Sequence, residues 1–594
     1  MVTEQSDKRN KRDIFGKSVQ AFLSAWAMLL VTGMSVRNLY SGIVFIMFLL
    51  LYRHVDQKGN KRSRIICVMA AFLTVLVIMA EHQKITEAFS SRLFQLLILL
   101  IAAAGLYITV EYILRYLNGI LTAEQTYDRI IGRNAQSVKW IPFWGYALIC
   151  FLLWVPSFLY EYPGIMSPDS MNQFYQVIGA QPLFNHHPVV HTLLIGLCYH
   201  VGRWFTQDVS AALSCYTIVQ MSFMACCAAY VIRTLEECYG IRHRISILIL
   251  AFYALMPYQG VFAVTIWKDV PFAGIMMLTG CILLRMLCTE QRRLWIGLYL
   301  TGCAMSLFRS NGWYVFVLLI PFLLYVFRRS IGKMLLCCTM VVLTVSLIKG
   351  PVMRTVGIEQ PDFIESCSIP LQQITRVIVD GKYLTPEQDE LIRHVIDTTY
   401  IKQLYATDFA DNMKELVRAG DQNYLVQHKE AYAILWLQLG IRYPGTYLQS
   451  WVDMTKGFWY PDVYQNPGNI DGVIPNQAGV SATPLIGGPI VIKGKEILLK
   501  LGGWIPLYGL LWSIGSYFWA MMLVLTIVLG QNTDRKRILV IVPQLLLLLT
   551  LFIAAPVADF RYAYAVVETL PLWGMMALHP ATGRGSLRLS EEVE

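Results

Sequence analysis

The sequence predicts an all-α polytopic membrane protein with about fourteen transmembrane helices. Both termini lie in the cytoplasm, and interfacial helices and a mainly helical or α+β outer domain complete it. Three observations lead there. Apolar residues make up 56% of the chain and charged residues only 15%, against about 25% charged in ordinary soluble domains. Apolar stretches of roughly 17–25 residues, the length that crosses a bilayer, recur along the chain. Lys and Arg gather in every second short loop, the bias that marks the cytoplasmic side.

In order, candidate spans lie at 19–33, 38–52, 65–80 and 92–115. A second group lies at 140–159, 209–232, 244–264, 271–287, 293–308, 312–328 and 333–349, and a third at 503–529, 537–555 and 563–579. The basic run Lys8-Arg9-Asn10-Lys11-Arg12 precedes them without a small-residue cleavage site, so it is not read as a removable signal. The inner loops then carry Arg53, Lys58, Lys61, Arg62 and Arg64, followed by Arg129, Arg133 and Lys139. Further on they carry Arg233, Arg242 and Arg244, then Arg292 and Arg293, then Arg328, Arg329 and Lys333, then Arg535, Lys536 and Arg537. The alternation holds only if 187–205 does not cross. That segment, from His187-Pro188 to Arg203-Trp204, reads as an amphipathic helix in the outer interface.

Four parts follow: residues 1–139, a cytoplasmic tail with four spans; 140–349, seven spans with an outer loop at 160–208; 350–502, an extracytoplasmic domain; and 503–594, three spans and a cytoplasmic tail. In the outer domain, Thr385-Pro386-Glu387-Gln388 has the form of a capped helix start with Pro at the first position. The net charge of +10 does not argue for nucleic acid, because a chain so poor in charge lacks the exposed Lys and Arg that such a surface needs. Its apolar content excludes disorder. Most of the 13 cysteines, Cys150, Cys227 and Cys281 among them, sit inside apolar runs, where they act as small buried residues. No C-x-x-C pair points to zinc or redox chemistry.

Unusual polar residues converge on the outer side. Ser167-Pro168-Asp169 follows the fifth span, and Asn185-His186-His187-Pro188 and His191 open the interfacial helix. Trp267-Lys268-Asp269 turns between spans seven and eight, Arg309-Ser310-Asn311 joins nine and ten, and Asp559-Phe560-Arg561-Tyr562 joins thirteen and fourteen. Lys268, Arg309 and Arg561 break the positive-inside bias, and an anionic group is the simplest reason for a cation there. Asp169, in the first turn of a helix, is either a general base or an ordinary helix-start acid. His187 and His191, four apart, share one helical face, where they either join a carboxylate around a metal, anchor the helix in the headgroup layer, or contact a phosphate. Trp451, Trp459, Tyr460 and Tyr464, near Asp462, read either as a face on which a sugar stacks or as folded core or aromatic belt.

The order of these features resembles the GT-C superfamily of membrane glycosyltransferases, over roughly 140–579. An acid in the first outer loop of the core matches Asp169, His-Pro in an interfacial helix matches His187-Pro188, and an acid between core spans three and four matches Asp269. A long outer domain after seven core spans and a late Arg-Tyr, here Arg561-Tyr562, complete the likeness. The motif wording is closest to an uncharacterised family of bacterial multi-pass membrane proteins. The chain departs from the superfamily pattern in its four spans before residue 140 and in lacking a paired D-x-D at Asp169.

The resemblance implies a GT-C-like core and an enzyme of the bacterial cell membrane, its active site on the extracytoplasmic face. A sugar passes from a polyprenyl-phosphate donor to a cell-envelope glycan, lipid or protein. Asp169 is the base of a single inverting displacement, and Asp269 orients the acceptor or His187. Lys268, Arg309 and Arg561 hold the phosphate, with His187, His191, Asn311, Tyr562, Trp459 and Tyr460 as further substrate-binding candidates. No cofactor is called for beyond a divalent ion, whose candidate ligands are Asp169, His187, His191 and Asp269. Membrane lipid, the lipid-linked sugar and an outer acceptor are the expected partners, and nucleic acid is not. The alternatives are a transporter or flippase of a lipid-linked or anionic substrate, and an assembly or sensor protein with the outer domain as receptor.

Overall fold

The computed structural model describes residues 2–57, 63–131, 141–465, 471–531 and 535–578, with side chains from Ile14 onward. The expected inner-loop residues Lys58, Lys61, Arg62, Arg133 and Lys139, the side chains of the run at 8–12, and the tail beyond 578 lie outside the described residues. Among the described residues the regular structure is helical, and β pairing is limited to isolated bridges. The helical expectation for the outer segment therefore holds over the α+β one.

Among the described residues, eight helices are long and apolar enough to cross a membrane: Ile14–Thr32, Leu39–Asp56, Arg64–Thr86, Arg92–Leu121, Phe143–Tyr160, Val209–Tyr239, Asp269–Cys288 and Arg328–Thr355. Where expected spans are interrupted, a proline stands at the break. The stretch 244–264 forms two helices, His243–Leu255 and Pro257–Val264, bent by 55°. The helix Pro489–Trp504 ends two residues before Pro506, and a new one runs over Ile514–Gly530. Pro543 opens Val542–Ala554. The stretch 563–579 divides into Tyr564–Glu568, Leu570–Gly574 and a 3-10 turn at Met575–Ala577, with Pro571 beside the first break. Proline donates no N–H and clashes with the preceding turn, so apolar length alone does not make one helix.

Contacts divide the chain into two compact units. The first takes in the described residues of 2–129, 518–535 and 574–578. In it, Val2–Thr32 packs on Arg92–Leu121 at Gly105, where a Cβ would stand 2.2 Å from the Leu23 carbonyl oxygen. The Tyr52 hydroxyl donates to Ser24 Oγ at 2.6 Å, and Arg115 pairs with Asp56 at 2.8 Å.

The second unit is Ile130–Tyr517 with Lys536–Trp573, as far as these residues are described. Its membrane-type helices pack around Val209–Tyr239 and Asp269–Cys288, the latter buried along almost its whole length. Its stretch 350–502 holds a cluster of short helices closed around Leu371, Val377, Ile392, Met413, Val417 and Leu439. The start at Pro386 is a true capping box: Thr385 Oγ1 accepts from the Gln388 N–H at 3.3 Å and Gln388 Oε1 from the Thr385 N–H at 3.2 Å.

Candidate functional site

Backbone pairing among three loops builds the frame of the site. The Ile165 N–H donates to the Val264 carbonyl at 3.0 Å, and the Ile266 N–H donates back to the Ile165 carbonyl at 3.0 Å. One residue on, the Met166 N–H donates to the Gly472 carbonyl at 2.9 Å and the Met166 carbonyl accepts from Ile474 at 3.2 Å. The loop before Asp169, the loop before Lys268 and the stretch around Gly472–Ile474 are thus held in one small ladder. Gly164 makes the approach feasible: a Cβ there would lie 2.6 Å from Thr217 Oγ1 and 3.0 Å from the Val264 carbonyl oxygen, at φ +142°. Side chains complete the link, with Ser170 Oγ donating to the Ile266 carbonyl at 2.6 Å and Trp267 Nε1 donating to Ser167 Oγ at 2.7 Å. Ser167 is the N-cap residue of Pro168–Val177, but its hydroxyl serves Trp267 rather than the helix end.

This frame places Asp169 against two cations. Asp169 Oδ2 lies 2.9 Å from Arg561 Nη1 and 3.6 Å from Lys268 Nζ. Burial disfavours charge on Asp169, but Lys268 and Arg561 outweigh it and hold the carboxyl well below the usual carboxylate range. Lys268 Nζ also donates to His187 Nδ1 at 2.8 Å. Burial, and after it the ammonium, pushes His187 down to about 2, so the imidazole is neutral and accepts. Lys268 itself is lowered, because its burial exceeds the pull of Asp169 and Asp269. Asp559 Oδ2 stands 3.3 Å from Arg561 Nε, and burial raises its carboxyl against the pull of that guanidinium.

A second pair lies deeper. Asp269, only 1% exposed, has Oδ1 2.7 Å from Arg309 Nη1. The contact is close but poorly aimed: neither Asp269 oxygen has a hydrogen-bond partner among the described residues, while Arg309 Nη1 donates to the Tyr562 carbonyl at 3.0 Å. Aromatic faces steady both guanidiniums. Arg561 lies 5.0 Å from the Trp267 ring centre and 4.8 Å from that of Tyr562, and Arg309 lies 4.9 Å from Tyr562. The site therefore gathers the start of Asp269–Cys288, the junction of Arg292–Phe308 with Ser310–Val326, and the loop after Val542–Ala554.

Asp169, Lys268, His187, Asp269, Arg309, Arg561 and Tyr562 are thus together, and Asn311 is half-buried in the turn after Arg309. Three expectations are corrected. His187 and His191 do not share a helical face, because the helix Val189–Arg203 is capped by Pro188 and His187 precedes it. His191, fully buried, lies between Gln173 Oε1 at 2.9 Å and the Tyr216 hydroxyl at 2.6 Å. Trp459 and Tyr460 offer no open face to a sugar: Trp459 is 1% exposed, stacks on Trp451 at 6.0 Å and donates Nε1 to Thr455 at 3.0 Å, and Tyr460 is buried beside it. Asp269, expected to orient the acceptor or His187, has Arg309 as its ion-pair partner, while His187 accepts from Lys268.

A divalent ion does not fit these residues. Among the described residues no three His, Cys, Asp or Glu side chains form a metal-holding group. Cations already face Asp169, Asp269 and His187, and a metal among them would meet like charge. Sequence reasoning passed over Trp267 as a ring for Arg561, although it adjoins Lys268. It also missed Glu161, buried at the end of Phe143–Tyr160, which pairs with Lys495 and accepts from the Gly472 N–H at 2.8 Å. A carboxylate ending an apolar helix was the available signal.

A family model matches residues 179–586, which takes in Lys268, Asp269, Arg309 and Arg561 and begins after Asp169. No curated protein and no solved structure matches the chain. The chain belongs to the matched family, DUF6020, a family of unknown function.

Proposed function

We propose that the protein is a GT-C-type membrane glycosyltransferase that moves a sugar from a polyprenyl-phosphate donor to an extracytoplasmic acceptor, with inversion. The observation that carries this reading is the contact of Asp169 with Arg561 and Lys268, which puts a candidate base beside two candidate phosphate-binding groups. As it stands, Asp169 is ionised but a poor proton acceptor, since both cations stabilise its charge. An arriving phosphate competes for those cations. Drawing them away raises the affinity of Asp169 for a proton at the moment an acceptor hydroxyl needs one removed. The acceptor oxygen then attacks the anomeric carbon, its proton passes to Asp169, and the glycosidic electron pair leaves on the phosphate oxygen, where Lys268 and Arg561 meet the growing charge. Asp269 acts as a positioning residue that holds Arg309 from beneath.

This reading takes the chain through the membrane fourteen times: beside the eight long helices, the bent pair His243–Leu255 and Pro257–Val264, the shorter helices Arg292–Phe308, Ser310–Val326, Ile514–Gly530 and Val542–Ala554, and the broken stretch 564–577 cross as well, both termini inside and the site outside. The helix Val189–Arg203 lies in the outer interface of the bacterial plasma membrane, with the exposed Leu193, Leu197, Trp204 and Phe205 toward lipid. The charged groups meet at helix ends, which favours an enzyme over a transporter, whose sites sit near mid-membrane. The test is mass spectrometry of lipid-linked sugars and envelope glycans from cells with the gene, without it, and with Asp169→Asn. A glycan lost in both altered strains, with its donor accumulating, supports the proposal; identical profiles in all three overturn it.

A further inference from the structure

The short helices of the outer segment enclose a cavity of about 200 Å³ whose wall includes Leu371, Ile374, Ile392, Val417, Leu425 and Trp436. Its polar groups are engaged elsewhere. The Tyr432 hydroxyl donates to the Leu391 carbonyl at 2.7 Å and Trp436 Nε1 donates to Gln373 Oε1 at 2.7 Å. A water molecule needs two to four polar partners, and this wall does not supply them. An apolar group fills such a space better than water or vacuum does, because close packing restores the lost contacts.

One charged residue reaches the cavity, Lys429. It is solvent-exposed, its Nζ lies 4.3 Å from the Phe363 ring centre, and it pairs with no carboxylate among the described residues. A dry apolar interior with a cation at its mouth is complementary to one kind of molecule. We propose that the outer segment binds a single-chain amphiphile with an anionic head, its chain in the cavity and its head on Lys429. The wall also touches the candidate site: Glu365, next to Ile364 in the wall, lies 3.6 Å from His186, the neighbour of His187. That the amphiphile is the acceptor rests on the transferase reading; that it binds does not.

The test uses the purified full-length protein in lipid nanodiscs and a long-chain carboxylate bearing a diazirine at the chain end. After irradiation, peptides are mapped by mass spectrometry. Label is expected on peptides within 363–436, falling about tenfold in Lys429→Glu and about tenfold when the probe is the neutral long-chain alcohol, the size of one charge-assisted contact. Ile374→Trp, which fills the cavity, should abolish that label; should it fail to fold, the exposed Lys429→Glu and the two probes decide alone. Label confined to the membrane helices, or equal in the wild type and Lys429→Glu, overturns the proposal. Asp169→Asn should leave labelling unchanged. Labelling without any glycan change therefore sinks the transferase reading and keeps this site, and the reverse result sinks this site alone.

Discussion

Replacing Asp269 by Asn tests a charge pair buried on both sides, Asp269 with Arg309. Asp269 is 1% exposed and the Arg309 side chain 8%, so neither charge has much water to turn to. At 2.7 Å, with an effective dielectric constant of about 20, the attraction between them is about 6 kcal/mol before desolvation is counted. Desolvation of both groups offsets much of that, but removing one partner leaves the other buried and uncompensated, which costs about 3–5 kcal/mol. Arg309 keeps its bond to the Tyr562 carbonyl and its place against the Tyr562 ring, which sets the expectation at the low end, about 3 kcal/mol. In detergent, followed by tryptophan fluorescence, this should lower the unfolding temperature by roughly 2–3 °C, since a chain of 594 residues unfolds with an entropy of about 1.2 kcal/mol/K. Arg309→Gln should do the same. The double variant should be more stable than either single one, since no buried charge remains. Losses that simply add in the double variant, or an Asp269→Asn loss below about 1 kcal/mol, the range of an exposed pair, would refute the reasoning.

Three further outcomes follow from the same geometry. The folded protein keeps His187 neutral while the unfolded chain takes up a proton below about pH 6.5, so the contribution of this residue is whole above that pH and fades as pH falls. By pH 5 the loss is about 2 kcal/mol, and His187→Gln should flatten the fall in unfolding temperature between pH 7 and 5; an unchanged slope counts against the neutral imidazole. Gly164→Ala should cost a few kcal/mol, from a side-chain clash with Thr217 and strain at positive φ, and Thr217→Ala should recover only the clash, as read by unfolding temperature. Asp169→Asn frees Arg561 and Lys268 of their carboxylate, so a short-chain prenyl phosphate should bind the variant at least as tightly while transfer is lost; weaker binding measured by titration would show that Asp169 is not the competitor.

The membrane character of the chain was legible because hydropathy is a sum over residues, and sums survive local error. The breaks at Pro257, Pro506, Pro543 and Pro571 depend on single residues, and reading by apolar length passed over them. The charged exceptions Lys268, Arg309 and Arg561 stood out because the expected topology puts them against the positive-inside rule. Which acid each one meets was not legible, because partners such as Asp169 and Arg561, 392 residues apart, come together through packing and not through spacing. The His187–His191 pair shows the opposite failure, in which a spacing was read as helical two residues before the helix began. The aromatic residues Trp459 and Tyr460 carry no mark in sequence that separates a core from a binding face; burial alone decides it.

The same long reach has a consequence for biogenesis. Asp169 is synthesised 392 residues before Arg561, so the carboxylate waits through the synthesis of the helices between them for one of its two counter-ions. A chain that stops short of Arg561 leaves Asp169 with Lys268 alone, and Arg309 without the Tyr562 carbonyl and ring that steady it. Incomplete chains therefore carry unbalanced charge at a helix-end junction, the sort of defect by which quality-control proteases tell an unfinished membrane protein from a finished one. The charge cluster is thus balanced only in a chain that reaches Arg561 and Tyr562.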